Sequence, residues 1–400
     1  MKEEIMAAPA EQREKVWNTM FVCIFAANMT MYLGMQMVDT MVSVYADYLG
    51  ASTAMVGVVA SIFAATALLF KIVAGPVLDV FNKKNIVLFS LLLLGTAFAG
   101  LSFSHTITML IVFRLLQGVG RAFSATSYLS LASEFVPKEK FSTGIGIFMV
   151  AQAVAQAAAP VTGLWISERY GYSAVFVVST IFIICAVFMT SFIKINHVRT
   201  KKFKITFNAI VAKEALLPAM ILFLVTSTYS VLNSFLVLYA ATKGIARADI
   251  GYFFTIYAAS MLISRPLIGK LSDAYGTVRI LMPALVMFII SFWLIGTASS
   301  LTVLYLAAVI AAFGCGASTP TVQALCMKCV SPERSGAASS TSYIGTDLGS
   351  LSGPVLAGIL QEHLGYAGMW PAMTIPVFTA FVLVLFFHKR ISEIERRFHA

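Results

Sequence analysis

GPVLDVFNKKN (75–85) and GKLSDAYGTVR (269–279) read as one motif written twice, 194 residues apart. The same ungapped shift lays Asp39 on Asn233, Tyr45 on Tyr239, Gly50 on Gly244, Gly57 on Gly251, Lys71 on Arg265, Gly75 on Gly269 and Asp79 on Asp273. It continues with Gly120 on Gly314, Pro160 on Pro354, Glu168 on Glu362, Gly171 on Gly365 and Tyr172 on Tyr366. A register held over that distance is hard to reach by chance. The chain is therefore a duplicated unit, and whatever folds one half folds the other.

Around the motif the chain is apolar: 59% of its 400 residues are hydrophobic, 12% are charged, and mean hydropathy is +0.87. Soluble domains carry about 25% charged residues. Long apolar runs bounded by charge or Gly/Pro clusters predict twelve helices at about 18–45, 52–78, 85–103, 107–133, 140–166, 172–194, 215–241, 248–270, 278–297, 301–328, 335–361 and 367–388. Twelve spans take about 260 residues, which excludes a large soluble catalytic domain. IVLFSLLLLGTAFAG (86–100) does not alternate, which excludes barrel strands. The expected fold class is an all-α membrane protein of two six-helix halves, 1–194 and 215–400, joined by a linker at 195–214. The opening segment sets Lys2, Arg13 and Lys15 among four glutamates with no apolar core before Trp17, so neither a cleavable signal peptide nor a presequence is expected.

Counting cations by side, with each helix switching sides, puts 21 on the face of the N-terminus and three, Arg169, Lys243 and Arg247, on the other. Lys71, Arg114, Arg121 and Arg265 fall inside helices. Both termini are therefore expected in the cytoplasm. The formal net charge of +10 reads as topology rather than nucleic-acid binding.

The two copies of the opening motif resemble the loop signature of the major facilitator superfamily, roughly G-x-L-x-D-R-x-G-R-R. RLLQGVG (114–120) resembles that family's helix 4 signature, R-x-x-Q-G-x-G, and SRPLIGKLSD carries the preceding cation and proline. Val80, Asn82 and Ala274 depart from the pattern. The resemblance implies a secondary transporter working by alternating access, of the kind of the bacterial drug/proton antiporters, in a cytoplasmic (inner) membrane. It also implies that helices 1, 4, 7 and 10 line the pathway. Parallel repeats place the substrate between the halves near the bilayer midplane.

The resemblance further implies that Asp79 and Asp273, with Lys83, Lys84 and Arg279 as partners, latch the cytoplasmic ends in the outward-open state. An aspartate there can accept from the N-terminal amides of a neighbouring helix only when those ends are packed together. The lysines read equally well as topology signals. Gly75 and Gly269 belong to the same gating set. In AVAQAAAPVTGLW, Pro160 and Gly163 match the family's exporter-associated G-x-x-x-G-P-x-x-G-G, whereas Ala155 and Ala159 replace glycines. Pro160 and Pro354 would soften helices 5 and 11 for gating, and small residues let helices approach.

Charge at mid-depth must face the bundle interior or water, since lipid exposure costs about 2.5–3.5 kcal/mol. Arg114 and Arg121 lie two turns apart on one face of helix 4. Asp39, late in helix 1, reaches the depth of Arg114. A carboxylate whose proton affinity depends on a nearby Arg is the switch that a proton-coupled carrier needs; a fixed structural pair is the alternative. Arg121 has no acid nearby in the chain and suits a carboxylate or phosphate substrate, or else pairs with Asp347, which would then be a counter-ion or second protonation site.

Polar residues on the pathway helices complete the candidates: Asn28, Tyr32 and Gln36 on one face of helix 1, Tyr128 on helix 4, Asn233 on helix 7, and Thr319 and Gln323 on helix 10. Each reads equally as an interhelical hydrogen bond. Met20, Met29, Met31, Met35, Met37 and Met41 crowd helix 1 and read first as core. Cys326 and Cys329 have redox spacing on a reducing side and read as free thiols. No phosphate-binding loop, H-E-x-x-H or nucleophile elbow occurs. The expectation is a monomeric carrier, not an enzyme, without metal or cofactor, whose partners are a small molecule, protons and the lipid bilayer. It would export small organic molecules or drugs in exchange for protons; uptake or exchange of an organic anion is the second reading.

Overall fold

In hydrocarbon an unpaired peptide N–H or C=O finds no water, so a chain this apolar satisfies its backbone within each segment, as helices. The computed structural model describes residues 17–136, 141–193, 211–330 and 335–399. The first half runs α1 Thr19–Tyr48, α2 Thr53–Val80, α3 Lys83–Ser102, α4 Ile107–Phe135, α5 Phe141–Tyr170 and α6 Tyr172–Ser191. After a 3-10 turn at Lys213–Ala215 come α7 Leu216–Thr242, α8 Arg247–Tyr275, α9 Thr277–Thr297, α10 Leu301–Lys328, α11 Ser335–Ala372, α12 Ile375–Phe386 and α13 His388–His399. No strand occurs among the described residues. Several starts are fixed by side-chain caps: Asn18, Ser52, Asn82, Thr106 and Ser300 each accept from a first-turn amide.

Among the described residues ten helical stretches are long and apolar enough to cross a bilayer. The longest, Ala337–Phe386, holds two passes, because the chain reverses inside α11 at Gly365, where φ is 65°. Gly171, its repeat equivalent, has φ 83° and makes the same corner between α5 and α6. The twelfth pass is interrupted rather than continuous: Pro371 and Pro376 flank a turn at 373–374 and each removes a backbone donor. Past it lies α13, a helix for which the apolar-run reading made no provision. Glu395 of α13 accepts from the Thr277 amide at 2.9 Å and from the Thr277 hydroxyl, and lies 3.6 Å from Lys328 Nζ. These contacts fasten α13 across the starts and ends of α9 and α10.

Packing repeats as the sequence does. In the first half α1 lies on α5 and α6, and α4 on α2 and α3; in the second α7 lies on α11 and α12, and α10 on α8 and α9. The halves meet where α2 packs on α11 and α5 on α8. Glycine makes both contacts possible: a Cβ at Gly57 would lie 3.1 Å from Val355 Cα, and one at Gly251 3.0 Å from Val161 Cα. Val161 and Val355 are themselves 194 apart, so the two seams are copies of each other.

Candidate functional site

One cluster of charge occupies the interior of the first half. Arg114 of α4 is 1% exposed and all but fully bonded. Its Nε donates to the Val59 carbonyl at 3.2 Å, its Nη2 to the Ala60 carbonyl, and its Nη1 to Gln117 Oε1 at 2.7 Å and Asp39 Oδ1 at 2.8 Å. The other oxygen of Asp39 accepts from Arg121 Nη1 at 2.7 Å, and Gln117 Nε2 donates to Oδ1 at 3.2 Å. Phe63 of α2 lies under both guanidiniums, 4.3 Å from that of Arg114 and 4.8 Å from that of Arg121. Arg121 makes one bond and its side chain is 29% exposed. One carboxylate thus bridges an anchored cation and a freer one.

The second charged contact crosses between the halves. Lys71 Nζ of α2 lies 2.9 and 2.7 Å from the two carboxylate oxygens of Asp347 on α11, and 4.8 Å from the centre of the Tyr343 ring. This corrects two expectations. Arg121 has an acid, Asp39, and the partner of Asp347 is Lys71. Asp347 still lies within electrostatic range of Arg121, so the two pairs form one network.

The second half keeps the positions but only one of the charges. Asp39, Arg114 and Arg121 become Asn233, Ala308 and Cys315, Phe63 becomes Tyr257, and Lys71 becomes Arg265, whereas the acid Asp347 has Ala153 as its equivalent. Tyr229 and Tyr257 stack at 5.9 Å, and Gln156 of α5 donates to the Tyr229 hydroxyl at 2.6 Å across the seam.

At the face away from the termini the halves are joined by a second repeated device. Glu168, near the end of α5, accepts from the Ala248 amide in the first turn of α8 at 3.3 Å. Glu362 of α11 accepts from the Ala54 amide in the first turn of α2 at 3.0 Å. Each carboxylate satisfies an orphan donor at the positive end of a helix in the opposite half. Thr255 adds a bond to the Ala157 carbonyl at 2.8 Å.

The remaining candidates are dispersed. Tyr32, Gln36, Asn233, Thr319 and Gln323 are half-buried on α1, α7 and α10. Asn28 is 1% exposed, and its Oδ1 has no partner among the described residues. Tyr128 is buried and bonds Thr190 of α6 at 2.7 Å, so its hydroxyl is already engaged. Lys83 pairs with Glu134, and Lys84 bonds the Ser191 carbonyl at 2.7 Å. The side chains of Asp79 and Asp273, with Gly75 and Gly269, lie outside the described residues, while Arg279 is exposed. Pro160 and Pro354 sit inside α5 and α11 at the two seams. Reading the sequence missed Lys71 as a partner, Phe63, Gln117 and the two glutamates, although the repeat register already aligned Glu168 with Glu362.

No group of three or more His, Cys, Asp or Glu among the described residues could hold a metal. Cys326 and Cys329 are free thiols, and burial pushes that of Cys329 up to about 11.

The pattern that defines the Major Facilitator Superfamily matches residues 24–217 and again 218–397. The multi-drug resistance efflux pump PmrA of Streptococcus pneumoniae is 27% identical over 80% of this chain and 83% of its own length. An uncharacterized MFS-type transporter of Methanocaldococcus jannaschii is 24% identical over 89% of this chain and 94% of its own. The fold matches a crystal structure of the nucleoside transporter NupG with TM-score 0.79 at 13% identity, covering 92% of this chain and 100% of that one. It also matches the peptide transporter POT in complex with sulfate, with TM-score 0.80 at 13% identity, covering 94% and 95%.

Proposed function

Because the chain belongs to the Major Facilitator Superfamily, and so is a membrane transporter, we propose that it exports small organic molecules in exchange for protons by alternating access. The observation that carries this reading is the Asp39 carboxylate held between anchored Arg114 and freer Arg121. While both cations attend it, Asp39 stays ionised. When Arg121 swings away, toward a substrate or during rearrangement, the carboxylate keeps one cation fewer and takes up a proton more readily. The similar efflux pumps favour export over uptake.

The state follows from the seals. The face with the termini is cytoplasmic by its excess of Lys and Arg, in a bacterial inner membrane. Glu168 and Glu362 tie the halves together at the opposite face, which supports reading this arrangement as an inward-facing, proton-released form. Asp79 and Asp273 serve the reverse state as latches, with Lys83 leaving Glu134. Residues 1–194 and 215–400 move as two bodies about the linker, and the carrier works as a monomer. Interior cations outnumber acids, Lys71, Arg114, Arg121 and Arg265 against Asp39 and Asp347, which favours substrates with anionic groups as the second reading.

The test is transport in proteoliposomes under an imposed pH gradient, with cationic, neutral and anionic compounds. At least one class should accumulate, and a protonophore should abolish accumulation. Flux that ignores the gradient for every class would end the proposal. The seal has its own test. In a cysteine-free background with Gln36→Cys as reporter, Glu168→Gln with Glu362→Gln should raise labelling by an impermeant maleimide from outside severalfold. Unchanged labelling would remove the glutamates from the gate.

A further inference from the structure

Arg265 is the one interior cation for which the structure supplies no acid among the described residues. Its repeat equivalent, Lys71, is neutralised by Asp347, but the equivalent of Asp347 is Ala153. It nevertheless faces inward. Ala258 and Met261, seven and four residues earlier on α8 and on the same side, are 0% and 4% exposed. Ile263 and Leu267, on the outer side, are 69% and 49% exposed. Arg265 is exposed although it lies in the buried arc of its helix, so its side chain opens onto space inside the bundle.

That space has an aromatic wall. Tyr257 lies eight residues before Arg265 on α8, and Tyr229 and the Cys315 thiol share with it the electrostatic range of the guanidinium. The two tyrosines stack, with their rings inclined by 26°. Tyr257 is 3% exposed, and its hydroxyl has no partner at full hydrogen-bonding geometry, although Tyr229 and Cys315 are its neighbours. Asn233 adds an amide one turn along α7 from Tyr229, and Gln156 reaches in from the first half. In the first half the corresponding wall, Phe63, is covered by two guanidiniums already engaged with Asp39. The second half presents the same construction with its internal anion deleted.

We propose that Arg265, with Tyr229 and Tyr257, forms a substrate subsite in the second half that takes small aromatic molecules bearing one negative charge, such as arylcarboxylates. The guanidinium provides the forked donor that a carboxylate matches, and the stacked tyrosines take the ring. The ligand supplies the acid that the repeat lacks, which gives the charge its favourable partner only when substrate is present. This inference rests on the transporter reading for its physiological sense, but not for its test.

The test is calorimetric titration of the full chain in lipid nanodiscs with naphthalene-1-carboxylate and, as the neutral isostere, naphthalene-1-methanol. The parent should prefer the carboxylate by about tenfold or more. Arg265→Gln should abolish the preference while leaving the alcohol's affinity unchanged. Arg265→Lys should keep part of it, and Asp39→Asn should keep it in full. A preference that survives in Arg265→Gln, or a parent that binds both probes equally or neither, overturns the subsite. If the preference is present but no compound moves on a pH gradient, the transport reading fails and the subsite stands. If neutral or cationic compounds accumulate and the preference is absent, the reverse holds.

Discussion

Asp39→Asn should abolish uphill transport. The substitution keeps a hydrogen-bonding side chain of the same size but removes the group that exchanges a proton, so movement down a substrate gradient can persist while coupling to pH is lost. It also leaves Arg114 and Arg121 without their shared counter-charge. Arg114 is buried, so stability should fall by about 3–5 kcal/mol, the range found when one partner of a buried pair is removed. Its remaining bonds to Val59, Ala60 and Gln117 still hold the guanidinium, so the protein should fold. Gradient-driven accumulation and thermal unfolding of the purified variant together check the expectation. A normally expressed Asp39→Asn protein that pumps uphill with unchanged pH dependence would transfer the role to Asp347.

The second large effect belongs to Lys71 and Asp347. Their contact joins α2 to α11 across the seam, so a rearrangement that separates those helices must break it. Lys71→Met and Asp347→Leu should each slow turnover by about tenfold or more, because each leaves a partly buried charge alone in the path of the motion. The double variant removes both charges and should recover stability relative to either single one, with a coupling of about 1–3 kcal/mol in the unfolding cycle. It should still lack the parent's control over which face opens, visible as a changed ratio of inside to outside labelling. Single variants that transport and label like the parent would reduce this pair to surface chemistry.

The spans were legible because lipid leaves the backbone so few solutions, and the two halves because the register of 194 survives from α1 to the start of α6. The corners at Gly171 and Gly365 show how far that register reaches. The neighbours Asp39 and Arg114 could be brought together by counting depth along α1 and α4. The second arginine could not: depth separates Arg114 from Arg121 by about 10 Å of helix, and only the length of two arginine side chains lets one carboxylate meet both. Lys71 and Asp347 are 276 residues apart, and their meeting depends on which helices cross the seam. The helix α13 was missed because its charge places it outside any apolar run, although Ile391 is buried and Ile394 is partly so. A buried Tyr128 shows the limit of treating every polar residue on a pathway helix as facing the pathway.

At the face away from the termini Glu168 and Glu362 join the halves with carboxylates that water can still reach, each holding one backbone amide. Such contacts exchange readily for solvent and are easily screened. A gate held by dry, multiply bonded ion pairs like that of Arg114 would stay shut for as long as the protein stayed folded. Two wet caps would instead open on thermal fluctuation, and in the proposed cycle the waiting time would then fall on the charged interior, with the glutamates setting direction but not pace.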